Sequence, residues 1–191
     1  YNQQNIRYQC IVDVCRYLYE HLLFDESSGS QLMKQVQDEQ RMSSLFEKFV
    51  YAFFKRETRY KVSHPQIQWD VDDGFTEALP IMQTDLVLRK NNKVLIVDTK
   101  YYSKNMATRF EGGVEKHQSG NLYQIFTYIN NWVKEPDETV AGMLLYAKTT
   151  AINQPRHVYH VKGKRIYVIA LDLQQDFNGI KEDLLAYANH F

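Results

Sequence analysis

Two aspartates and a lysine, Asp85, Asp98 and Lys100, lie in the stretch QTDLVLRKNNKVLIVDTKYY (83–102), on segments that otherwise read as buried strand. Asn91 and Asn92 separate the two apolar runs, and Asn tolerates the positive φ of a two-residue type I′ hairpin turn. Register follows by counting. With Lys90 opposite Lys93, Arg89 faces Val94, Val87 faces Ile96, and Asp85 faces Asp98. Opposed residues share one side of a sheet with Cβ atoms about 5 Å apart. Lys100, two residues past Asp98, points to that side too. A divalent cation is the simplest compensation for such opposed carboxylates, and Mg2+ takes one or two carboxylates plus waters and phosphate oxygens. A lysine beside them can orient a water or meet charge developing on a phosphate. The plainer alternative is a solvated strand end with Lys100 as an ion-pair partner.

The elements that must position these groups follow from periodicity. Ile11, Val14, Cys15, Leu18 and Leu22 recur at helical spacing and predict an opening helix. The stretch SSLFEKFVYAFFKRE (43–57) places Leu45, Phe46, Phe49, Val50, Phe53 and Phe54 on one broad apolar arc, a second helix. The stretch HPQIQWDVDDGFTEALP (64–80) reads as irregular or edge structure with an acidic cluster. Strands are expected over 81–90 and 93–101, then a polar loop over 103–120, a helix over NLYQIFTYINNWV, further strands in AGMLLYA, RHVYHV and RIYVIALDL, and a closing helix. Helices alternating with apolar strands predict an α/β fold with a central mixed β-sheet flanked by helices.

A chain of 191 residues with 44% hydrophobic content is long and apolar enough for one sizeable core. Its 23 basic and 23 acidic residues cancel, so contact with nucleic acid requires a local patch. Two such runs exist. Residues 89–109 carry Arg89, Lys90, Lys93, Lys100, Lys104 and Arg109 against the single acid Asp98, and residues 156–165 carry Arg156, Lys162, Lys164 and Arg165. Cys10 and Cys15 fit neither a disulfide framework nor a CxxC metal pair, which points to a reducing cytoplasm. No apolar run approaches the roughly 20 residues of a membrane helix, so no membrane association is expected. A first residue of Tyr1, directly in a helical pattern, suggests a fragment of a longer polypeptide. No G-x-x-x-x-G-K-[ST] occurs, so any nucleotide dependence must come from a partner.

Asp, a hairpin, then Asp-x-Lys resembles the PD-(D/E)xK nuclease core, here TD at 84–85 and DTK at 98–100, with Thr84 where a proline often stands. In order, LFEKFVYAFFKRE, MQTDLVLR, LIVDTKYY, NLYQIFTYI and GMLLYA resemble the McrC family, nuclease subunits of McrBC modification-dependent restriction systems. The likeness runs from about Ser43 to Ala147, and implies a restriction-endonuclease-like domain over 43–191 preceded by an N-terminal helical segment, 1–42, that packs on it. It implies a Mg2+-dependent DNA endonuclease, with Mn2+ as a substitute, acting on double-stranded, methylcytosine-containing DNA beside an McrB-type AAA+ GTPase motor. Asp85, Asp98 and the Thr99 carbonyl would hold the metal, and Lys100 would position the attacking water or stabilise the transition state.

Glu47, on the helix before the sheet, corresponds to a carboxylate that completes such metal sites in many of these nucleases. Equally, Ser44-x-x-Glu47 reads as a capping box. Gln124 and Tyr128 form a Q-x-x-x-Y pattern similar to RecB-like nucleases, where such residues lie beside DNA and the active site. The alternatives are a second capping box, Asn121-x-x-Gln124, and an exposed aromatic. The expected packing stripe of this helix is Leu122, Ile125, Phe126, Ile129 and Val133. Lys104, Arg109 and Tyr128 are the expected DNA contacts. His157 and His160 face opposite sides of a strand and make a poor metal pair, and His64 and His117 lack ligand-spaced partners. Two rivals stand beside the restriction reading: a nuclease of similar core working without a motor, and a non-catalytic nuclease-like scaffold that binds the motor.

Overall fold

The computed structural model describes residues 30–102, 104–107 and 115–189. The expected opening helix with Cys10 and Cys15, and the expected DNA contact Arg109, lie outside the described residues. Helix α1 spans Ser30–Glu57, starting well upstream of the predicted Ser43. The added stretch SQLMKQVQDEQRM is polar but rich in helix formers and free of Gly and Pro, so nothing in it ends a helix. Its apolar arc buries Phe46, Phe49, Val50, Phe53 and Phe54, each burial stabilising by about 2 kcal/mol.

Short strands β1 (Lys61–Ser63), β2 (Gln66–Ile67) and β3 (Met82–Gln83) bracket the acidic segment. Then come β4 (Leu86–Lys90), β5 (Lys93–Lys100), β6 (Met106–Ala107), β7 (Lys116–His117), helix α2 (Ser119–Asn131), β8 (Thr139–Ala147), β9 (Arg156–Val161), β10 (Lys164–Leu171) and helix α3 (Phe177–Asn189). The main sheet has six strands in the order β1-β4-β5-β8-β10-β9. β5, β8 and β10 run parallel, while β1, β4 and β9 join antiparallel, so the sheet is mixed as expected. Part of the expected polar loop forms the β6–β7 ribbon.

Helices α1 and α3 cover one face, where Leu88, Leu95, Val97 and Leu145 meet Phe49, Phe53, Ile180 and Leu184. Helix α2 covers the other, where Val87, Ile96, Leu144 and Val168 meet Ile125, Tyr128 and Ile129. β8 is buried from Val140 to Ala147, which explains its unbroken apolar sequence. Gly142 sits where α2 crosses it: a Cβ there would lie 2.6 Å from Ile125 Cγ1 and 3.1 Å from Ile129 Cγ2. The missing side chain lets α2 approach the sheet closely, and that approach sets where Gln124 falls.

The predicted hairpin register holds from Lys90↔Lys93 to Leu86↔Val97. Its turn differs in type, because Asn91 takes φ 54° while Asn92 does not enter the positive region a type I′ turn requires of both. Among the described residues no helix is long and apolar enough to cross a membrane.

Candidate active site

The ladder between β4 and β5 stops one pair short of the two aspartates. Thr84 is the cause. Its N–H and its hydroxyl both donate to the Pro65 carbonyl, at 3.3 and 2.7 Å. These bonds draw the chain toward 64–67 and leave Asp85 in a bend. A proline at position 84 would have neither donor.

Asp85 therefore does not stand squarely opposite Asp98, as counting had predicted. Its Oδ2 accepts from the Thr99 N–H at 2.7 Å and from the Thr99 hydroxyl at 2.7 Å, so the carboxylate takes the place of a missing ladder partner. Asp98 and Lys100 do share a face, with Nζ 2.7 Å from Asp98 Oδ2. Oδ2 is buried, and among the described residues Lys100 is the charged group that meets it. Burial, at 1% exposure, pushes the Asp98 carboxyl up to about 7 against the pull of Lys100, and the nearby Asp85 charge adds to the push. Burial is the largest single influence on the Lys100 ammonium and lowers it, but the Asp98 contact, together with Tyr102 and Asp85, outweighs it, and the net direction is upward.

Lys100 Nζ also donates to Gln124 Oε1 at 3.0 Å, Gln124 Nε2 donates to the Tyr128 oxygen at 3.0 Å, and the Tyr128 hydroxyl donates to the Gln83 carbonyl at 3.0 Å. Lys100 is thus held between a carboxylate and an amide whose far end is anchored on the strand before Asp85. Both capping alternatives fail. Ser44 and Glu47 lie deep inside α1, and Asn121 lies inside α2, whose N-terminal flank is Gln118. Tyr128 is 7% exposed and belongs to the core. The buried face of α2 runs through Asn121, Ile125, Tyr128 and Ile129, while Val133, expected in the stripe, lies past the helix and is exposed.

Glu47 is half-buried on α1. Burial and then the Asp85 charge raise its carboxyl above the usual range, while Lys48 and His64 oppose this. It stands within electrostatic reach of the site, yet no three His, Cys, Asp or Glu side chains among the described residues converge closely enough to hold a metal ion. A two-carboxylate site remains within the habit of Mg2+. The donor set also fits: hard carboxylate oxygens on Asp98, buried, and on Asp85 suit a hard cation. Lys104 is exposed, and its carbonyl accepts from Gln118 Nε2 at 3.2 Å, next to the start of α2.

Three residues around Lys100 escaped the sequence reading. Tyr146, paired with Lys100 across β5 and β8, is fully buried, and burial pushes its hydroxyl up to about 12. Asn121 Nδ2 donates to the Tyr146 oxygen at 2.9 Å, and the Tyr102 hydroxyl donates to Asn121 Oδ1 at 3.3 Å. A tyrosine ending an apolar strand was their only signal. His117, read as isolated, packs against His157 and Tyr159 with ring centroids 5.0 and 5.7 Å away.

The family model of the McrBC 5-methylcytosine restriction system component matches residues 1–147. The type IV methyl-directed restriction enzyme EcoKMcrBC of Escherichia coli (strain K12) is 32% identical over 184 residues, covering 93% of this chain and 51% of the relative. The chain thus spans about half the length of that relative. The motif resemblance, the α/β core and both comparisons agree: the chain belongs to the family of McrBC 5-methylcytosine restriction system components.

Proposed function

We propose that this chain is the DNA-cleaving part of an McrBC-type restriction system, hydrolysing phosphodiester bonds in double-stranded DNA with Mg2+, or Mn2+ in its place. The observation that carries the reading is Asp98: a buried carboxylate matched by Lys100 alone at its Oδ2, set beside a second carboxylate, Asp85. Burying such a group without full compensation costs stability, so a functional load is the economical explanation. Asp85 and Asp98, with the Thr99 carbonyl, would hold the cation. When bound, it supplies a Lewis acid that polarises the phosphate and offsets the charge gained by its oxygens.

The chain's own groups do the positioning. Lys100, fixed by Asp98 and Gln124, aims its ammonium where a water must approach phosphorus or where negative charge develops. Tyr128, tied to the Gln83 carbonyl, keeps the Gln124 amide turned so that its oxygen and not its nitrogen faces Lys100. Glu47, with its raised carboxyl, adds a group able to hold or release a proton at the rim. The sequence carries no G-x-x-x-x-G-K-[ST], so a GTP-driven, methylcytosine-selecting step would fall to an McrB-type partner.

The test pairs two measurements on the full-length protein. Calorimetric titration with Mn2+ should show binding that Asp85→Asn and Asp98→Asn each remove. With the motor, GTP and methylated duplex, Asp98→Ala should assemble normally and fail to cut. Equal cutting by wild type and Asp98→Ala would sink the catalytic assignment, and a well-folded wild type that neither binds metal nor cuts would leave the scaffold reading.

A further inference from the structure

The net charge of zero conceals a partition. Residues 66–82 carry Asp70, Asp72, Asp73 and Glu77 and no Lys or Arg, while residues 148–171 carry Lys148, Arg156, Lys162, Lys164 and Arg165 and no acid. The acidic segment borders the end of α2, where the Asp70 N–H donates to Asn131 Oδ1 at 2.8 Å. The acidic one leads into β4, and the basic one forms the β9–β10 edge three strands away in the other direction.

The register locates the edge relative to the site. Asp98 pairs with Leu144, Leu144 with Val168, and Val168 with His157. These four residues form one row on the α2 face, and at about 4.8 Å per strand His157 stands about 14 Å from Asp98. Tyr159, two residues on, shares that face. His117 closes the group, its Nε2 2.9 Å from the Tyr159 hydroxyl and its Nδ1 without a partner. The His157 and Tyr159 rings are stacked at 20°, and both residues are exposed. His117 also lies just before α2, whose Gln124 holds Lys100, so one short segment links the rings to the site.

We propose that DNA runs from the Asp98–Lys100 site past the start of α2 toward β9, where the exposed His157 and Tyr159, braced by His117, take up its sugar-phosphate backbone, while the acidic 66–82 segment repels it on the other side. The inference rests on the nuclease reading. Ring N–H and O–H groups can donate to phosphate oxygens, and the all-basic hairpin behind them supplies a favourable field. At 3.4 Å per nucleotide along a duplex axis, about 14 Å places this contact within about four base steps of the scissile phosphate.

The test measures binding of an end-labelled 30-base-pair duplex to the full-length protein by fluorescence anisotropy across a salt series. His157→Ala with Tyr159→Ala should weaken binding about tenfold. His157→Lys should tighten it at low salt and steepen the logarithmic salt dependence by about 0.9. Asp72→Lys with Asp73→Lys should tighten it far less than His157→Lys. Ring variants that bind as wild type, or acidic-side reversals that match His157→Lys, would overturn the track. Cutting, scored separately, decides the nuclease reading: a wild type that fails to cut methylated duplex with the motor and GTP present overturns it, whatever the anisotropy series shows.

Discussion

Asp98, at the C-terminal end of β5, and Glu138, just before β8, are the two buried acids among the described residues, at 1% and 7% exposure. Their surroundings differ. Glu138 Oε2 accepts from the Trp132 indole N–H at 3.1 Å and the Glu135 N–H at 3.4 Å, and its Oε1 lies 3.2 Å from the Arg89 guanidinium. Asp98 has Lys100 at 2.7 Å from its Oδ2 and, among the described residues, no such set of donors. A carboxylate that serves the fold is surrounded by donors, because a buried acceptor left bare costs about 1–3 kcal/mol. One met by a lysine alone is available for a ligand. The contrast separates a structural end of the sheet from a chemical one, although each acid has a cation beside it, Arg89 at 3.2 Å and Lys100 at 2.7 Å.

The contrast can be broken most sharply at Asp98. Asp98→Asn should lower cutting by about 10³-fold or more, with a melting temperature at pH 8 no lower than wild type. A large loss of stability would instead make Asp98 a structural acid like Glu138. The converse change, Glu138→Ala, should cost about 2 kcal/mol in chemical denaturation by leaving the Trp132 and Glu135 N–H groups unmatched and Arg89 with Glu135 alone, with cutting unchanged at temperatures where the variant is folded. Gly142→Ala should cost about 2 kcal/mol through the clash with Ile125, and should also slow cutting by shifting Gln124. Tyr128→Phe, which removes both the anchor on the Gln83 carbonyl and the acceptor for Gln124 Nε2, should slow cutting about tenfold and spare Mn2+ affinity.

Acidity offers a gentler probe. The folded Asp98 carboxyl, raised to about 7, holds its proton more tightly than the unfolded one. Its contribution to stability is full below about 4 and is lost as pH rises through 7. With metal chelated, melting temperatures should therefore fall from pH 5 to pH 8, and the fall should flatten in Asp98→Asn. A profile identical in both proteins would show that Asp98 is not the group responsible.

Much of this was legible in the residues. The hairpin register from Lys90↔Lys93 to Leu86↔Val97 follows from counting across Asn91-Asn92, because strand pairing has a strict period of two. Helix α1 was read too short, since its first half is polar and its helicity rests on propensity, which an apolar arc does not reveal. The bend at Asp85 was invisible for a different reason: it is made by Thr84 reaching the Pro65 carbonyl, a contact between segments whose approach no local pattern encodes.

By itself, then, the sequence determined the chemical inventory and its local placement: Asp98 and Lys100 on one strand face, Asp85 on the preceding strand, and Gln124 and Tyr128 one helical turn apart. Residue type and short-range periodicity are properties of neighbours along the chain. Tertiary structure alone decided which of these groups meet. It turned Asp85 onto Thr99, placed Gln124 against Lys100, buried Tyr146 beside them, and aligned His157 with Asp98 across β8 and β10. Those relations depend on strand order and on how closely α2 packs over Gly142, and both are settled by burying the two faces of the sheet together.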